Sequence, residues 1–211
     1  MGPKTAVFSA SPDYPPPVAS HSPRAGGRPA DVRLRRLRTD ELSPSDLHAI
    51  RALLAAAFGT DEDERFTDDD WEHALGGMHV VLDRGGEIVG HAAVVERRLE
   101  VDGRPLRTGY VEAVATAPFH QRTGLGTRLM RDVASYLADH FELGALGTGS
   151  HGFYERLGWL TWRGPSSVRT ATGERRTPDE DGYILVLPTP TSPPLDLSSA
   201  ISCEWHAGDV W

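Results

Sequence analysis

The 211-residue chain is 39% hydrophobic and carries a formal net charge of −8, so it has enough apolar material for one domain with a packed core. Its single cysteine, Cys203, excludes a disulfide framework and a cysteine-rich metal site, and no stretch approaches the roughly 20 apolar residues of a membrane span. Residues 1–38 are basic, so the acidic charge lies in the rest of the chain, where it disfavours nucleic acid and favours cationic ligands. The same acidity would also simply keep a protein in solution. Because the N-terminus lacks the apolar core of a secretory signal, the chain is expected to be soluble and cytoplasmic.

The first part of the chain divides into a polar extension, a strand and two helices. Residues 1–30 are rich in Pro, Ser, Ala and Gly and cannot bury enough apolar surface to order, which predicts a disordered extension. Residues 32–37 indicate a strand. Ser43 and Thr67 are typical N-caps and predict two helices, which are separated by an acidic loop at 60–66.

An antiparallel sheet is predicted next, over residues 78–103, with glycine turns at Gly86 and Gly103. A β-prone strand at 111–116 follows and ends before Pro118, because a proline cannot donate to a sheet ladder.

A glycine loop and a long amphipathic helix come after this strand. The loop has the pattern Gln/Arg-x-x-Gly-x-Gly at residues 121–126, and the apolar residues that follow it recur at helical spacing. Backbone N–H groups at a helix start bind anions, and a phosphate is the expected ligand. The dinucleotide pattern G-x-G-x-x-G is excluded because Leu129 occupies the third glycine position. Taken alone, the two glycines would fit a plain helix-entry turn equally well.

The remaining chain predicts strands at 143–148, 159–162 and 183–187 and a short helix at 153–157. Polar residues predict a loop at 163–182, and an apolar tail at 200–211 is expected to be ordered. The predicted order of elements is therefore β-α-α-β-β-β-α-β-α-β-β.

This order and the glycine loop together resemble the GCN5-related N-acetyltransferases (GNAT), in which the loop binds the pyrophosphate of acyl-coenzyme A. The resemblance implies an α/β fold with a mixed, mainly antiparallel central sheet and helices on both faces. One domain over residues 31–211 is expected.

Several motifs are similar to one subfamily, the aminoglycoside 2′-N-acetyltransferases of actinobacteria. They are DWEH at 70–73, GGMH at 76–79, HAAVV at 91–95, GYVE at 109–112, GAL at 144–146, TPDEDG at 177–182 and CEWHAGDVW at 203–211. Three positions depart from the subfamily: Arg65 stands where an acid is usual, Glu180 replaces an aspartate, and the run at 147–150 is shorter. These departures leave the expected reaction type unchanged, but the exact contacts with an acceptor do not carry over from the subfamily.

The resemblance implies a role for each matching residue. The acetyl-coenzyme A site would use Val114 and Thr116 for the pantetheine arm and the loop Gln121, Arg122, Thr123, Gly124, Leu125, Gly126 and Thr127 for the pyrophosphate. Glu112 would be the catalytic base, acting through a water, and Tyr154 the catalytic acid. A backbone N–H near Val114 would polarise the thioester. The acceptor would be bound by Asp70, Glu112, Ala113, Glu180, Asp209 and the α-carboxylate of Trp211.

Each of these roles has a simpler alternative. Glu112 would otherwise be an exposed strand residue, Tyr154 a core residue and Asp70 a partner of a helix dipole. No metal is expected, because the nine histidines lack the spacing H-E-x-x-H. Ser150 and His151 do not form a nucleophile elbow, because Thr148 occupies its first glycine position.

The expected function is acetyl-coenzyme A-dependent acetylation of the 2′-amine of aminoglycosides, which gives antibiotic resistance by modification. The expected partner is a cationic aminoglycoside or amino sugar, with neither nucleic acid nor membrane. A homodimer is compatible with the resemblance, since many relatives are dimers. Two alternatives stay open: a GNAT enzyme that acetylates a cell-wall amino sugar or a protein N-terminus, and a non-catalytic acyl-coenzyme A-binding domain.

Overall fold

The computed structural model describes residues 31–59, 65–206 and 210–211. These ranges contain one mixed sheet of ten strands and four α-helices. The strands are β1 Val32–Arg38, β2 Met78–Arg84, β3 Glu87–Val101, β4 Arg104–Thr116, β5 Leu143–Gly147, β6 Leu160–Thr161, β7 Ser166–Thr170, β8 Gly173–Arg176, β9 Ile184–Pro188 and β10 Ile201–Glu204. The helices are α1 Pro44–Ala57, α2 Asp68–Ala74, α3 Leu125–His140 and α4 His151–Glu155. The predicted extension at 1–30 and most of the acidic loop at 60–66 lie outside the described residues.

Strand β3 is the centre of the sheet. It pairs antiparallel with β4 along most of its length, with β2 through its first half and with β10 through Glu100 and Val101. Eight strands lie in the order β6-β9-β5-β4-β3-β10-β7-β8. The other two lie off this path, where β2 pairs with β3 and β1 pairs with β2. All described strands therefore join one sheet, while a single domain over residues 31–211 stays a prediction.

The helices cover both faces of the sheet, as predicted. On one face, α1 and α2 pack on an apolar cluster that includes Ala113 and Ala115 of β4. On the other face, α3 packs on a cluster that includes Val111 and Val114 of the same strand. Strand β4 therefore contributes to two separate cores. None of the helices in the described ranges is long and apolar enough to cross a membrane.

Strands β4 and β5 separate after three paired residues. Their parallel ladder runs from Thr108 opposite Leu143 to Tyr110 opposite Ala145, although β4 continues to Thr116. Beyond Tyr110, the edge of β4 on this side therefore has backbone groups that are not paired with β5. An extended ligand could add to the sheet there, since added strands bind through main-chain hydrogen bonds.

The prediction of a polar loop over the whole of residues 163–182 was wrong. Residues 166–176 form the hairpin of β7 and β8, and β10 from the tail pairs parallel with β7. All four residues of β8, Gly-Glu-Arg-Arg, are exposed. A strand without a buried face has no apolar alternation, so the periodicity that marks other strands could not reveal it.

The capping predictions were confirmed. The Ser43 hydroxyl accepts a hydrogen bond from the Asp46 N–H at the start of α1, and the Thr67 hydroxyl does the same for Asp70 at the start of α2. In both helices the aspartate also accepts from the cap residue, which completes a capping box.

Candidate active site

A β-bulge in β4 organises the candidate site. The register of β3 against β4 shifts between His91 and Ala93, so that one residue of β3 faces both Ala113 and Val114. Ala113 has a φ of 50°, a left-handed conformation that residues other than glycine rarely adopt. In a regular strand, successive residues point to opposite faces. The bulge instead lets Glu112 and Ala113 line the same pocket.

This cavity, called the Glu112 pocket below, collects residues from four parts of the chain. Its volume is about 30 Å³, the space of roughly one water molecule. Its lining residues are Phe58, Phe66, Asp70, His73, Glu112, Ala113 and Trp211. The structure thus brings together four of the six predicted acceptor residues.

Three residues of the Glu112 pocket were missed by the sequence analysis. Phe58 and Phe66 stand on either side of the acidic loop, and their ring centroids lie 5.2 Å apart. His73 lies three residues after Asp70 on α2, which places both on one face of the helix. Helical spacing from Asp70 could have identified His73.

Asp70 has two roles in the structure. Its Oδ2 accepts hydrogen bonds of 2.7 Å from both the N–H and the hydroxyl of Thr67, so it belongs to the capping box of α2. It also lines the Glu112 pocket. The helix-start alternative and the pocket prediction are therefore compatible.

The end of the chain is fixed against the sheet by the buried Arg97. Its Nη2 donates to the carbonyl of Val210 at 2.9 Å, and its Cζ lies 4.5 Å from the centroid of the Tyr110 ring. The thiol of Cys203 also donates to the Val210 carbonyl, at 3.2 Å. Trp211 is consequently held as a buried wall of the Glu112 pocket.

Glu180 lies close to this wall, although it does not line the Glu112 pocket. It ends the short 3-10 turn Pro178–Glu180, which begins after Thr177. The indole N–H of Trp211 donates to the Thr177 hydroxyl at 3.1 Å. The last predicted acceptor residue, Asp209, lies outside the described residues.

The glycine loop has the backbone geometry of an anion site. Arg122 and Gly124 have φ angles of 60° and 88°, and Gly124 caps α3 without a side chain. The N–H groups that follow it lie in the first turn of α3, where they have no acceptor within the helix. Gln121 steadies the loop by donating to the carbonyl of Thr116 at 3.4 Å, and Thr123 donates to the carbonyl of His120 at 2.6 Å.

A cavity of about 380 Å³ adjoins this loop. It is lined by Arg122, Gly124, Gly126, Thr127, Phe153 and Arg156. Arg156 and Phe153 were missed by the sequence analysis, and their only signal was their closeness to Tyr154 in sequence. Two arginines and a helix start give the cavity a positive field, which suits a phosphate-bearing ligand.

Tyr154 is fully buried. Its ring packs against Phe153, which lines this cavity, with the two ring centroids 4.9 Å apart. Its hydroxyl has no hydrogen-bond partner among the described residues. Burial raises the pKa of the Tyr154 phenol above its ordinary value of about 10, so the group is protonated at neutral pH. The buried Thr116 hydroxyl also has no partner in the described part of the chain. Thr116 ends β4, and Tyr154 belongs to the same apolar cluster as Val114 of that strand. Two orphaned hydroxyls fit a site whose ligand supplies their partners.

Other features do not compete with this site. A cavity of about 570 Å³ at the far end of α3 is lined by Arg38, Glu96, Arg107 and Tyr136 among others, and by none of the predicted site residues. Within the described residues, no group of three or more His, Cys, Asp or Glu side chains could hold a metal ion.

Comparison with known proteins agrees with this geometry. The family model described as an acetyltransferase (GNAT) domain matches residues 38–161. An aminoglycoside 2′-N-acetyltransferase from Mycolicibacterium fortuitum is 41% identical over 84% of this chain and 91% of its own length.

Solved structures agree on the fold. A GNAT family N-acetyltransferase from Escherichia coli (YhbS), solved with coenzyme A, superposes with a TM-score of 0.56 at 18% identity, covering 89% of this chain and 94% of its own. A GNAT family acetyltransferase from Brucella melitensis, solved with acetyl-coenzyme A, gives a TM-score of 0.55 at 19% identity, covering 84% and 97%. At these identities the likeness concerns the fold alone, and it confirms the predicted fold class.

Proposed function

This chain belongs to the GNAT acetyltransferase family and groups there with the aminoglycoside 2′-N-acetyltransferases, and we propose that it transfers the acetyl group of acetyl-coenzyme A to the 2′-amine of an aminoglycoside. The observation that carries the proposal is that the bulge in β4 contributes neighbouring residues to the Glu112 pocket and to the opposite face of the sheet. The acidic Glu112 pocket contains Ala113, whereas Val114 of the same bulge belongs to the apolar cluster of α3 and Tyr154. An amine held on one side and a thioester on the other would meet at the bulge.

The residues of the loop cavity fit acetyl-coenzyme A. The N–H groups of Leu125, Gly126 and Thr127 would bind the pyrophosphate at the start of α3. Arg122 lines the same cavity and would add a charge-assisted contact, and Arg156 offers a second cation. The pantetheine arm would pair with the backbone of Val114 and Thr116, where β4 has left β5.

The chemistry requires the incoming ammonium to lose one proton before it attacks and a second as the amide forms, while the thiolate gains one, so that one proton is released to solvent. Glu112 would take the proton through a water, for which the Glu112 pocket has room. The amine nitrogen then forms a bond to the thioester carbon while the carbon–sulfur bond breaks. The Val114 N–H would stabilise the charge that develops on the carbonyl oxygen. Tyr154 carries a proton at neutral pH and would donate it to the departing sulfur.

The acceptor would be recognised by acids and by aromatic walls. Asp70 and Glu112 line the pocket beside Trp211, and carboxylates attract the ammonium groups of an aminoglycoside. Since the volume is that of roughly one water molecule, which the proton transfer uses, the reacting amine and the sugar rings would lie at the mouth of the pocket. Glu180 and Asp209 remain proposed contacts of these rings.

Two wider consequences follow from the proposal. The reaction would inactivate the drug and so give antibiotic resistance, and it would take place in the cytoplasm, where acetyl-coenzyme A is available. A homodimer remains a proposal as well.

A thiol-release assay tests the proposal with two aminoglycosides that differ only in a 2′-amine or a 2′-hydroxyl. We expect turnover with the amine alone, and a large loss of turnover in Glu112→Gln with acetyl-coenzyme A binding retained. Equal turnover with both compounds would show that the enzyme acetylates an amine other than the 2′-amine. Binding of acetyl-coenzyme A without turnover on either compound would favour another acceptor or a non-catalytic domain.

A further inference from the structure

Two buried histidines connect the surface of the protein to the bulge in β4. His91 Nδ1 lies 2.8 Å from the carbonyl oxygen of Ala113, and His91 Nε2 lies 2.9 Å from His79 Nδ1. His79 Nε2 in turn lies 2.9 Å from the hydroxyl oxygen of Thr39. This His79–His91 chain joins β2 and β3, which pair regularly beside both histidines, to β4 at the point where the β3–β4 register shifts.

The Ala113 carbonyl oxygen, at the inner end of the His79–His91 chain, fixes the direction of every hydrogen bond in that chain. A carbonyl oxygen only accepts, so His91 Nδ1 carries a hydrogen and donates to Ala113. In a neutral imidazole, His91 Nε2 must then accept, so His79 donates to it through Nδ1. His79 Nε2 consequently accepts from the Thr39 hydroxyl at 2.9 Å, in preference to the Gly77 carbonyl, which lies 3.3 Å from the same hydroxyl oxygen.

Burial keeps both rings neutral. Burial lowers the pKa of His91 to about 3, with His79 adding to the shift and the Ala113 carbonyl opposing it. Burial also lowers the pKa of His79 to about 4. Neither ring is exposed to solvent. At neutral pH, the described order of donors and acceptors is therefore the one that satisfies both rings.

The bulge needs this support. A φ of 50° at Ala113 is unfavourable by about 1–2 kcal/mol for a residue with a Cβ, so surrounding contacts must hold it. The extra residue of a bulge also loses its ladder partners. The His91 imidazole supplies a partner for the Ala113 carbonyl in place of a backbone N–H.

The His79–His91 chain is packed under the helix that lines the Glu112 pocket. The ring of Trp71 lies 6.1 Å from His79 and 6.5 Å from His91, centroid to centroid. Trp71 follows Asp70 on α2. The two imidazoles therefore support both the bulge and the helix that carries a predicted acceptor residue.

We propose that His91, supported by His79 and Thr39, is a positioning residue for acetyl transfer: it holds the Ala113 carbonyl in the bulge and so sets the Glu112 side chain and the Val114 N–H relative to each other. The inference rests on the proposed function. His91 itself would touch neither substrate.

Kinetics of two His91 variants test the positioning role. Asn places an amide N–H where His has Nδ1, whereas Leu has no donor. We expect His91→Leu to lower kcat by about 10- to 100-fold, because small misplacements of reacting groups cost rates of this order. The Kd of acetyl-coenzyme A should rise by a smaller factor than kcat falls, because the pyrophosphate loop would keep its contacts and only the pantetheine contact at Val114 would shift. His91→Asn should recover most of the lost kcat.

Thr189→Val is the matched control for a general loss of stability. The buried Thr189 hydroxyl, just after β9, donates to the carbonyl of Phe141 at the end of α3 at 2.8 Å, and neither residue lines the Glu112 pocket. This variant should lose stability and keep kcat. An unchanged kcat in His91→Leu, or an Asn variant no better than the Leu variant at equal stability, would overturn the proposal.

A second pair of variants is available if His91→Leu does not fold. Thr39→Val removes the outer hydroxyl at constant shape, and Thr39→Ser retains it. We expect Val to lower kcat several-fold and Ser to leave it within about twofold of wild type. Equal kcat values for Thr39→Val and Thr39→Ser would contradict a role for the His79–His91 chain in positioning.

Nitrogen-15 NMR separates this inference from the proposed function. The wild-type protein should show a neutral His91 with its hydrogen on Nδ1. The amide signals of residues 112–114 should shift in His91→Leu and return in His91→Asn. A hydrogen on Nε2, or unmoved amide signals, would overturn the positioning role even in an active enzyme. A wild type without turnover on aminoglycosides would instead overturn the proposed function.

Discussion

Arg97 on β3 donates a hydrogen bond of 2.9 Å to the carbonyl of Val210, the residue before Trp211. Trp211 forms part of the Glu112 pocket, which also contains the proposed base. The buried guanidinium of Arg97 thus holds Trp211, which lines the proposed acceptor site, through a hydrogen bond to the main chain rather than to a side chain.

Replacing Arg97 with Met should release this wall. We expect Arg97→Met to raise the KM for the aminoglycoside by about tenfold, corresponding to roughly 1.4 kcal/mol, and to leave the Kd of acetyl-coenzyme A unchanged. Steady-state kinetics and calorimetry provide the two values. Arg107→Met is the matched control, because Arg107 also donates to a carbonyl, that of His140, and lies over a ring, that of Phe141. Equal KM values in both variants would contradict the role of Arg97.

Asp70→Asn should separate capping from acceptor binding. The change should cost about 0.5–2 kcal/mol of folding stability through the lost capping box, and it should also raise the acceptor KM, because an amide attracts an ammonium less than a carboxylate does. Asp46→Asn breaks the equivalent capping box of α1, together with an ion pair of 2.6 Å to Arg35. The Asp46 variant should lose at least as much stability in thermal unfolding and keep the acceptor KM. A rise in KM for both variants would show that helix stability alone accounts for the effect.

Tyr154→Phe should lower kcat without destabilising the protein. The hydroxyl has no partner among the described residues, so its removal should leave the free energy of unfolding equal or higher. The loss of a proton donor to the thiolate should lower kcat by about 10²-fold. Chemical denaturation and steady-state kinetics measure both quantities. Tyr136→Phe, on the outer side of the same apolar cluster, should retain kcat. Undiminished turnover in Tyr154→Phe would reduce Tyr154 to a packing role.

Gly124→Ala should weaken acetyl-coenzyme A binding through backbone strain alone. Gly124 has a φ of 88° and a Cβ there would meet no atom within 4 Å, so the cost is conformational, about 1–2 kcal/mol. Gly86 has a φ of 92° and equally open surroundings, in the hairpin between β2 and β3. Gly86→Ala should therefore lose similar stability and keep the Kd of the coenzyme in calorimetry. A Kd that is unaltered in Gly124→Ala would exclude the loop from coenzyme binding.

The free energy of unfolding should decrease as the pH is lowered from 6.5 to 5, because His79 and His91 are buried as neutral rings. Their pKa values are lowered to about 4 and about 3 in the folded protein, whereas an unfolded histidine has a pKa near 6.5. The unfolded state therefore binds more protons below pH 6.5, and the stability present above that pH is lost as the pH falls. Each histidine should contribute up to about 1.4 kcal/mol per pH unit.

Denaturant unfolding at several pH values measures this slope. The double variant His79→Asn/His91→Asn should be flatter than wild type over the same window. Carboxylates with lowered pKa values, such as Asp46 and Asp181, act mainly at lower pH and are shared by both proteins. Parallel slopes would show that the pair is not buried as neutral rings.

Local signals in the sequence predicted most of the fold. The caps Ser43 and Thr67 and the glycine loop gave the helices, because these features act within a few residues of where they stand. The hairpin of β7 and β8 was missed, since exposed strands are held by backbone pairing and leave no apolar pattern. The fold class, the family and the expected acetyltransferase function were confirmed.

The site was only partly predictable. Motif resemblance supplied Glu112, Asp70 and Trp211, and the structure places them in one pocket. The partners of the bulge were not predictable, because His91 and Ala113 meet across a shift in strand register that nothing in local spacing encodes. The assigned roles of the site residues stay predictions.

The most direct test of the account is to locate the acetyl group on the product by NMR, using an aminoglycoside that carries a 2′-amine among several other amines. The account predicts a single acetyl group on the 2′ nitrogen, formed together with one equivalent of free thiol. An acetyl group on any other nitrogen while the 2′-amine stays free would contradict it.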